Sequence, residues 1–319
     1  MGLKKERWIA LSFNNYSAPV IFGCSGYSLT SEEKTFFAQS QPLGFILFKR
    51  NIQDKLQLKT LVEELKLTLN QVDPPILIDQ EGGRVARLTS PHWFHPPAGA
   101  LLAKGNLEES RKHVYETYSQ IAKELKEMGI TVNCAPLLDL HVADADPIMG
   151  DRTFSADPHV VAELGAIAIQ ALQEGGIIPV MKHIPGHGAA TCDSHKALPV
   201  VSLTYKDLQP HFAPFKANIH CPWAMTAHIV YSAIDPSYPA TQSSVVIHEI
   251  IRNEIGFQGF LISDDLGMEA LKGSFAERAQ TSLEAGCDAI LHCSGIMKEM
   301  IEVMEGVASV TTPIRKQAT

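Results

Sequence analysis

Phe260-Leu261-Ile262-Ser263-Asp264 is a short apolar run that ends on a carboxylate. Seven others resemble it, at 20–23, 44–48, 76–79, 131–136, 179–183, 223–228 and 289–293. Each is continuously apolar rather than alternating, which is the pattern of parallel strands covered on both faces. Amphipathic stretches lie between them, at 54–70, 108–128, 158–174, 205–218, 243–255 and 268–286. In the first of these Leu56, Leu58, Leu61, Leu65 and Leu69 recur near helical spacing. Strands alternating with helices in this way predict an α/β fold, a single (β/α)8 TIM-type barrel. A doubly wound open sheet shares the alternation, and strand count alone leaves it as the alternative.

The chain has 319 residues, room for one barrel of roughly 250 residues with decorations or two domains of roughly 150. No linker divides it and no internal repeat is visible, so residues 1–319 read as one domain, with the polar stretch 311–319 as a frayed tail. The net charge of −8 comes without any basic arm, which argues against nucleic acid as a partner. No stretch is long and apolar enough to span a membrane. The start, Met1-Gly2-Leu3-Lys4-Lys5-Glu6-Arg7, is basic and then apolar, but Asn14, Asn15 and Tyr16 interrupt it too early for a signal peptide. Glu6 stands where a myristoylation signal needs Ser or Thr. Cys24, Cys134, Cys192, Cys221, Cys287 and Cys293 form no Cys-x-x-Cys pair and read as reduced, buried thiols. The expectation is a soluble cytoplasmic protein, a monomer or weak oligomer.

In a barrel, reactive groups collect at the carboxyl ends of the strands and on the loops that follow. Here Asp79 ends the third strand and is followed by Gln80-Glu81-Gly82-Gly83-Arg84. The fourth leads to Asp139 and the loop Met149-Gly150-Asp151-Arg152, the fifth ends in Lys182-His183, the sixth in His228 and the seventh in Ser263-Asp264-Asp265. One such carboxylate could simply cap the next helix. Five ionisable strand ends together point to a polar pocket, because charged groups are seldom buried without one.

The fifth strand runs into Lys182-His183-Ile184-Pro185-Gly186-His187-Gly188 and then Asp193-Ser194-His195. His183 and His187 have the spacing of a helical metal pair, but Pro185 and Gly186 between them oppose a helix, so no metal is expected. The glycines instead mark a loop with unusual backbone angles. Asp193 beside His195 could fix the imidazole tautomer and stabilise its cation. Spacing alone leaves that role and a passive surface pair both open.

These segments resemble the glycoside hydrolase family 3 β-N-acetylglucosaminidases. The resemblance is carried by the segment 182–188 with Asp193-Ser194-His195, by Asp79-Gln80-Glu81-Gly82-Gly83-Arg84-Val85-Ala86-Arg87, by Gly150-Asp151-Arg152-Thr153-Phe154 and by Ile262-Ser263-Asp264-Asp265-Leu266, in family order over most of the chain. Gly267 and Cys192 depart from the usual pattern without removing a functional group. The resemblance implies a single barrel that removes a non-reducing terminal GlcNAc from peptidoglycan fragments during cell-wall recycling, with retention and without metal or organic cofactor. It implies Asp264 as nucleophile and Asp193 with His195 as a dyad replacing the usual carboxylic acid. Asp79, Arg87, Arg152, Lys182 and His183 would hold the terminal sugar.

Retention needs a nucleophile on one side of the anomeric carbon and a proton donor at the leaving oxygen. Asp264 would have to be ionised, and nearby cations would keep it so. Asp265 is expected to point away, since successive strand residues face opposite sides, and to cap the following helix. Other readings share the scaffold: a β-glucosidase, a broader β-hexosaminidase, or a phosphorylase in which phosphate replaces water. From another class, the pocket could belong to a sugar sensor without activity. A chromogenic β-GlcNAc substrate separates enzyme from sensor.

Overall fold

The structure, a computed structural model, describes residues 17–143, 148–190, 194 and 197–310. Eight parallel strands close into a barrel: β1 (Ala18–Gly23), β2 (Pro42–Leu47), β3 (Ile76–Ile78), β4 (Val132–Asn133), β5 (Ile178–Ile184), β6 (Trp223–Thr226), β7 (Phe260–Asp265) and β8 (Ala289–His292). Each pairs with its neighbours in sequence, and β8 closes on β1 with Val20 opposite Ile290. The doubly wound alternative is thereby excluded, because an open sheet leaves two edges unpaired. β4 is shorter than its apolar run, and Leu137 makes an isolated bridge to Lys182 beyond it.

Continuous apolarity has a simple cause here. Ile21, Ile46, Leu77, Val132, Val180, Met225, Ile262 and Leu291 point into the barrel and pack as one interior cluster, closed off by Trp223 against Phe260. Their strand neighbours Val20, Phe22, Phe45, Ile76, Ile78, Met181, Leu261 and Ile290 face outward under the helices. Both faces of each strand are therefore dry. Burying one such side chain contributes about 1.5–3 kcal/mol.

Besides a single helical turn at Gly99–Leu102, the helices around the barrel are α1 (Ser31–Ser40), α2 (Lys55–Leu67), α3 (Leu107–Glu127), α4 (Pro158–Glu174), α5 (Tyr205–Ala217), α6 (Val246–Glu254), α7 (Phe275–Ala285) and α8 (Met297–Ala308). In α2 the expected stripe is buried at Leu58, Leu61 and Leu65, while Leu56 stays exposed. α6 is π-wound, with Ile255 N donating to Ile250 O at 2.8 Å. The helix expected over 268–286 starts at Phe275. Gly273 has φ +85° and Ser274 opens a capping box with Glu277, so 268–272 form turns whose apolar residues are buried without helical periodicity. α1 and α8 were not anticipated. α1 buries only Glu33 and Phe37 and shows no stripe; what starts it is the Thr30–Glu33 capping box. No helix among the described residues is long and apolar enough to cross a membrane.

Candidate active site

The chain leaves β3 at Asp79 and turns back in a hairpin, Gln80–Gly82 against Val85–Ala86. Gly83 supplies the turn at φ +54°, and a Cβ on Gly82 would meet Pro97 O at 2.1 Å. Gln80 locks the return: its Oε1 accepts from Arg87 N at 2.8 Å and from Leu88 N at 3.0 Å. Asn133 at the end of β4 holds the Gln80 backbone, donating to its carbonyl and accepting from its amide, both at 3.0 Å. Arg87 is thus delivered back over Asp79, and Nη2 reaches Oδ2 at 3.0 Å.

From β5, Lys182 Nζ bridges Asp79 Oδ1 at 2.8 Å and Glu81 Oε1 at 2.7 Å. Arg152 grips Glu81 with both ends of its fork, Nη2 to Oε1 at 2.8 Å and Nε to Oε2 at 2.9 Å. The charges alternate along one chain, Arg87–Asp79–Lys182–Glu81–Arg152, with three cations against two carboxylates. Burial would raise both carboxyls, but Lys182 and Arg87 hold Asp79 below its ordinary value, and Arg152 and Lys182 hold Glu81 far below its own. Burial opposes the Lys182 charge too, yet Asp79 and Glu81 outweigh it and push Lys182 upward. Asp79, Glu81, Lys182 and Arg152 are therefore charged across the neutral range.

A second network starts at the next residue of β5, whose pairing with β6 shifts register between Lys182 and Ile184. Asp139 lies beyond β4, fully buried. Its Oδ2 accepts from His183 N at 3.2 Å and faces His183 Nδ1 at 2.7 Å, and its Oδ1 accepts from His187 N at 2.6 Å. Burial would raise Asp139, but its bonds to His183 and the backbone N–H of His187 keep it low. A carboxylate at Nδ1 fixes the ring so that Nε2 faces the pocket. There it stands 4.0 Å from Asp264 Oδ2.

Asp264, at the end of β7, is partly exposed, and its Oδ1 accepts from Asp265 N at 2.8 Å. Ser263 is turned the other way and ties β7 to β8, accepting from Leu291 N at 2.9 Å. Asp265 also leaves the pocket, as expected. Its Oδ1 takes the amides of Gly267 at 2.9 Å and Cys293 at 3.0 Å, so it caps a turn and anchors β8; the cap of α7 is Ser274. His228 is held by Thr241 and by the Asp265 carbonyl, at 2.7 and 2.9 Å, with burial keeping it neutral.

Asp79, Arg87, Arg152, Lys182, His183 and Asp264 therefore meet at one end of the barrel. Asp193 and His195 lie outside the described residues; Ser194 between them is described and buried. Neither Glu81 nor Asp139 was singled out for this role. A count of charges points to Glu81, because Asp79 alone sets one negative charge against the three cations Arg87, Arg152 and Lys182. Asp139 was visible only as one more strand-end acid.

The family described as glycosyl hydrolase family 3 N-terminal domain matches residues 20–317. A β-hexosaminidase of Nitrosomonas eutropha is 36% identical over 288 residues, 88% of this chain and 81% of that protein. One of Alkalilimnicola ehrlichii is 37% identical over 285 residues, 86% and 80% of the two chains. Among solved structures, NagZ of Neisseria gonorrhoeae in complex with N-trifluoroacetyl-D-glucosamine superimposes with a TM-score of 0.84 at 33% identity, over 94% of this chain and 87% of that one. A family 3 β-N-acetylglucosaminidase of Paenibacillus sp. str. FPU-7 gives 0.85 at 33% identity; this chain spans 92% of its own length and 57% of that protein. A closed parallel barrel, strand-end acids and bases gathered at one mouth, and family-wide similarity along nearly the whole chain agree: the protein belongs to glycosyl hydrolase family 3.

Proposed function

We propose that the protein is a retaining exo-β-N-acetylglucosaminidase acting on GlcNAc-terminated muropeptides, GlcNAc-anhydroMurNAc fragments of peptidoglycan, in cytoplasmic cell-wall recycling. The relatives named above are β-hexosaminidases, and one of the solved structures holds an N-acylated glucosamine. One observation carries the mechanistic reading: Asp264 sits at the end of β7, 4.0 Å from a histidine whose orientation Asp139 has fixed, beside a fully ionised binding network.

In this reading the Asp79 oxygens accept from sugar hydroxyls, and Arg87, Arg152 and Lys182 donate to them. Holding the terminal ring this way presents its anomeric carbon to Asp264. Protonated His195 gives its proton to the glycosidic oxygen as Asp264 attacks, and the leaving sugar departs with that proton. Neutral His195, supported by Asp193, then takes a proton from water, which attacks the anomeric carbon and releases Asp264. The proton that His195 gives up in the first step is replaced in the second by one from water, whose oxygen forms the new bond to the anomeric carbon as the bond to Asp264 breaks.

Turnover of a chromogenic β-GlcNAc substrate, compared with the β-glucoside, tests the activity. A fluoro-sugar inactivator followed by peptide mapping should place the label on Asp264. A label on Asp265 or elsewhere overturns the nucleophile. Turnover with and without phosphate, with product identification, separates hydrolysis from phosphorolysis.

A further inference from the structure

Ser194 stands between the two proposed dyad residues in sequence and is itself 3% exposed. Two elements hold it. His187 Nε2 lies 3.3 Å from its Oγ, and the amide of Ala270, in the turns after β7, donates to its carbonyl at 3.3 Å. His187 is in turn fixed at its backbone by Asp139 Oδ1, the carboxylate that also orients His183, and its ring packs edge-on to His183 with centroids 5.4 Å apart. Nδ1 of His187 is buried with no hydrogen-bond partner among the described residues, and among them the contact to Ser194 is the ring's hydrogen bond. Burial and the nearby His183 hold the ring down to about 4, so at neutral pH it is an uncharged partner for a hydroxyl.

We infer that Ser194 is the anchor of the acid/base dyad and that His187 positions it, coupling the loop that carries the dyad to the Asp139–His183 network facing the sugar. The inference rests on the reading of Asp193 and His195 as the dyad. Covalent geometry makes the coupling short, because consecutive Cα atoms are only about 3.8 Å apart across a trans peptide bond. A proton donor must come within hydrogen-bond reach of the leaving oxygen, and misplacement by an ångström is enough to lose much of its value. Ser194 and His187 are positioning residues; neither is assigned a contact with substrate.

The test compares a GlcNAc disaccharide, whose alkoxide needs protonation to leave, with nitrophenyl β-GlcNAc, whose leaving group needs little. The readout is the ratio of kcat/KM for the two substrates. Ser194→Ala should lose about tenfold on the disaccharide and at most about twofold on the aryl glycoside, the effect of one lost hydrogen bond. Ser194→Thr, which keeps the hydroxyl, should recover most of the loss. His187→Asn, whose amide reaches only as far as Nδ1, should behave like Ser194→Ala; His187→Gln, whose amide overlays Nε2, should stay near wild type. A wild-type ratio in Ser194→Ala, or a Thr variant no better than Ala, overturns the anchor. His195→Ala run beside them separates the two ideas. An unshifted ratio there overturns the dyad and the anchor with it, whereas a shift in His195→Ala without one in Ser194→Ala overturns the anchor alone.

Discussion

The two networks at the barrel mouth touch the same strand yet handle charge differently. On the β3 side, Arg87, Asp79, Lys182, Glu81 and Arg152 pair in an alternating chain of charge, with Arg87 Nε left without a hydrogen-bond partner among the described residues. On the β4–β5 side, Asp139 organises two histidines, one through its ring and one through its backbone amide. Lys182 and His183 are adjacent residues, one in each network. The first arrangement suits holding a neutral, hydroxyl-rich ring at constant strength across pH. The second suits fixing where an imidazole points. The two arrangements stand on neighbouring strand ends, and Asp264 on β7 faces the second from across the pocket.

That division can be broken at several points. Asp264→Asn should have the largest effect, a loss of hydrolysis of at least about 10⁴-fold with the unfolding transition preserved, because a strand-end carboxylate at the pocket adds little to the core. Retained turnover in a verified variant would remove Asp264 from the mechanism.

Glu81→Gln should act on stability. It leaves Arg152 without its carboxylate partner and Lys182 with one instead of two, in a buried site, at a cost of about 3–5 kcal/mol. Denaturant unfolding reads this directly. A change within experimental error would mean that the network does not depend on Glu81 for its charge balance.

Asp139→Asn should leave the β3-side network intact and disturb the histidines. An amide cannot accept all three of the hydrogen bonds that Asp139 now receives with the same strength, so His183 should lose its fixed orientation. A loss of about 10²-fold in kcat/KM is expected, with inhibition by free GlcNAc changed far less. Equal losses in both would show that the two networks are one unit.

The smallest effect concerns pH. His187 is held neutral down to about 4 in the fold against 6.5 for the free side chain, mainly by burial. His183, Asp139 and Asp264 are the charged or titratable groups that face it. Its folded value is depressed, so its contribution is complete above 6.5 and is lost as pH falls towards 4, where the unfolded chain binds the proton first. At pH 5 that loss is about 2 kcal/mol. Asp79, Asp139 and Glu81, held below their ordinary values, lose their stabilisation only at lower pH still. Urea unfolding at pH 7 and pH 5 should therefore show a smaller difference in His187→Gln than in wild type. An unchanged difference would assign the acid sensitivity to His211, His228 and His292, which burial also depresses.

The barrel was legible before any coordinates because both faces of its strands are dry, so each strand is an unbroken apolar run such as 260–262. The polar strand ends were legible for the complementary reason: Asp79, Lys182, His183 and Asp264 interrupt those runs where water or substrate must enter. α1 was not, since it buries two side chains and depends on a cap, and the start of α7 was misplaced because buried turns at Met268, Ala270 and Leu271 mimic a helical face in composition.

Sequence by itself determined the alternation of elements, the carboxyl-end clustering of ionisable groups and the segments that carry the family likeness. These are local or periodic properties, written in neighbouring residues. Tertiary structure alone decided who pairs with whom. Lys182 lies 103 positions from Asp79 and bridges it to Glu81; Arg152 crosses 71 positions to Glu81; Asp139 reaches His183 over 44 and His187 over 48. Whether a carboxylate is a binder, an orienting group or a turn cap depends on which donors closure of the barrel brings within 3 Å, and barrel closure is a property of all eight strands at once.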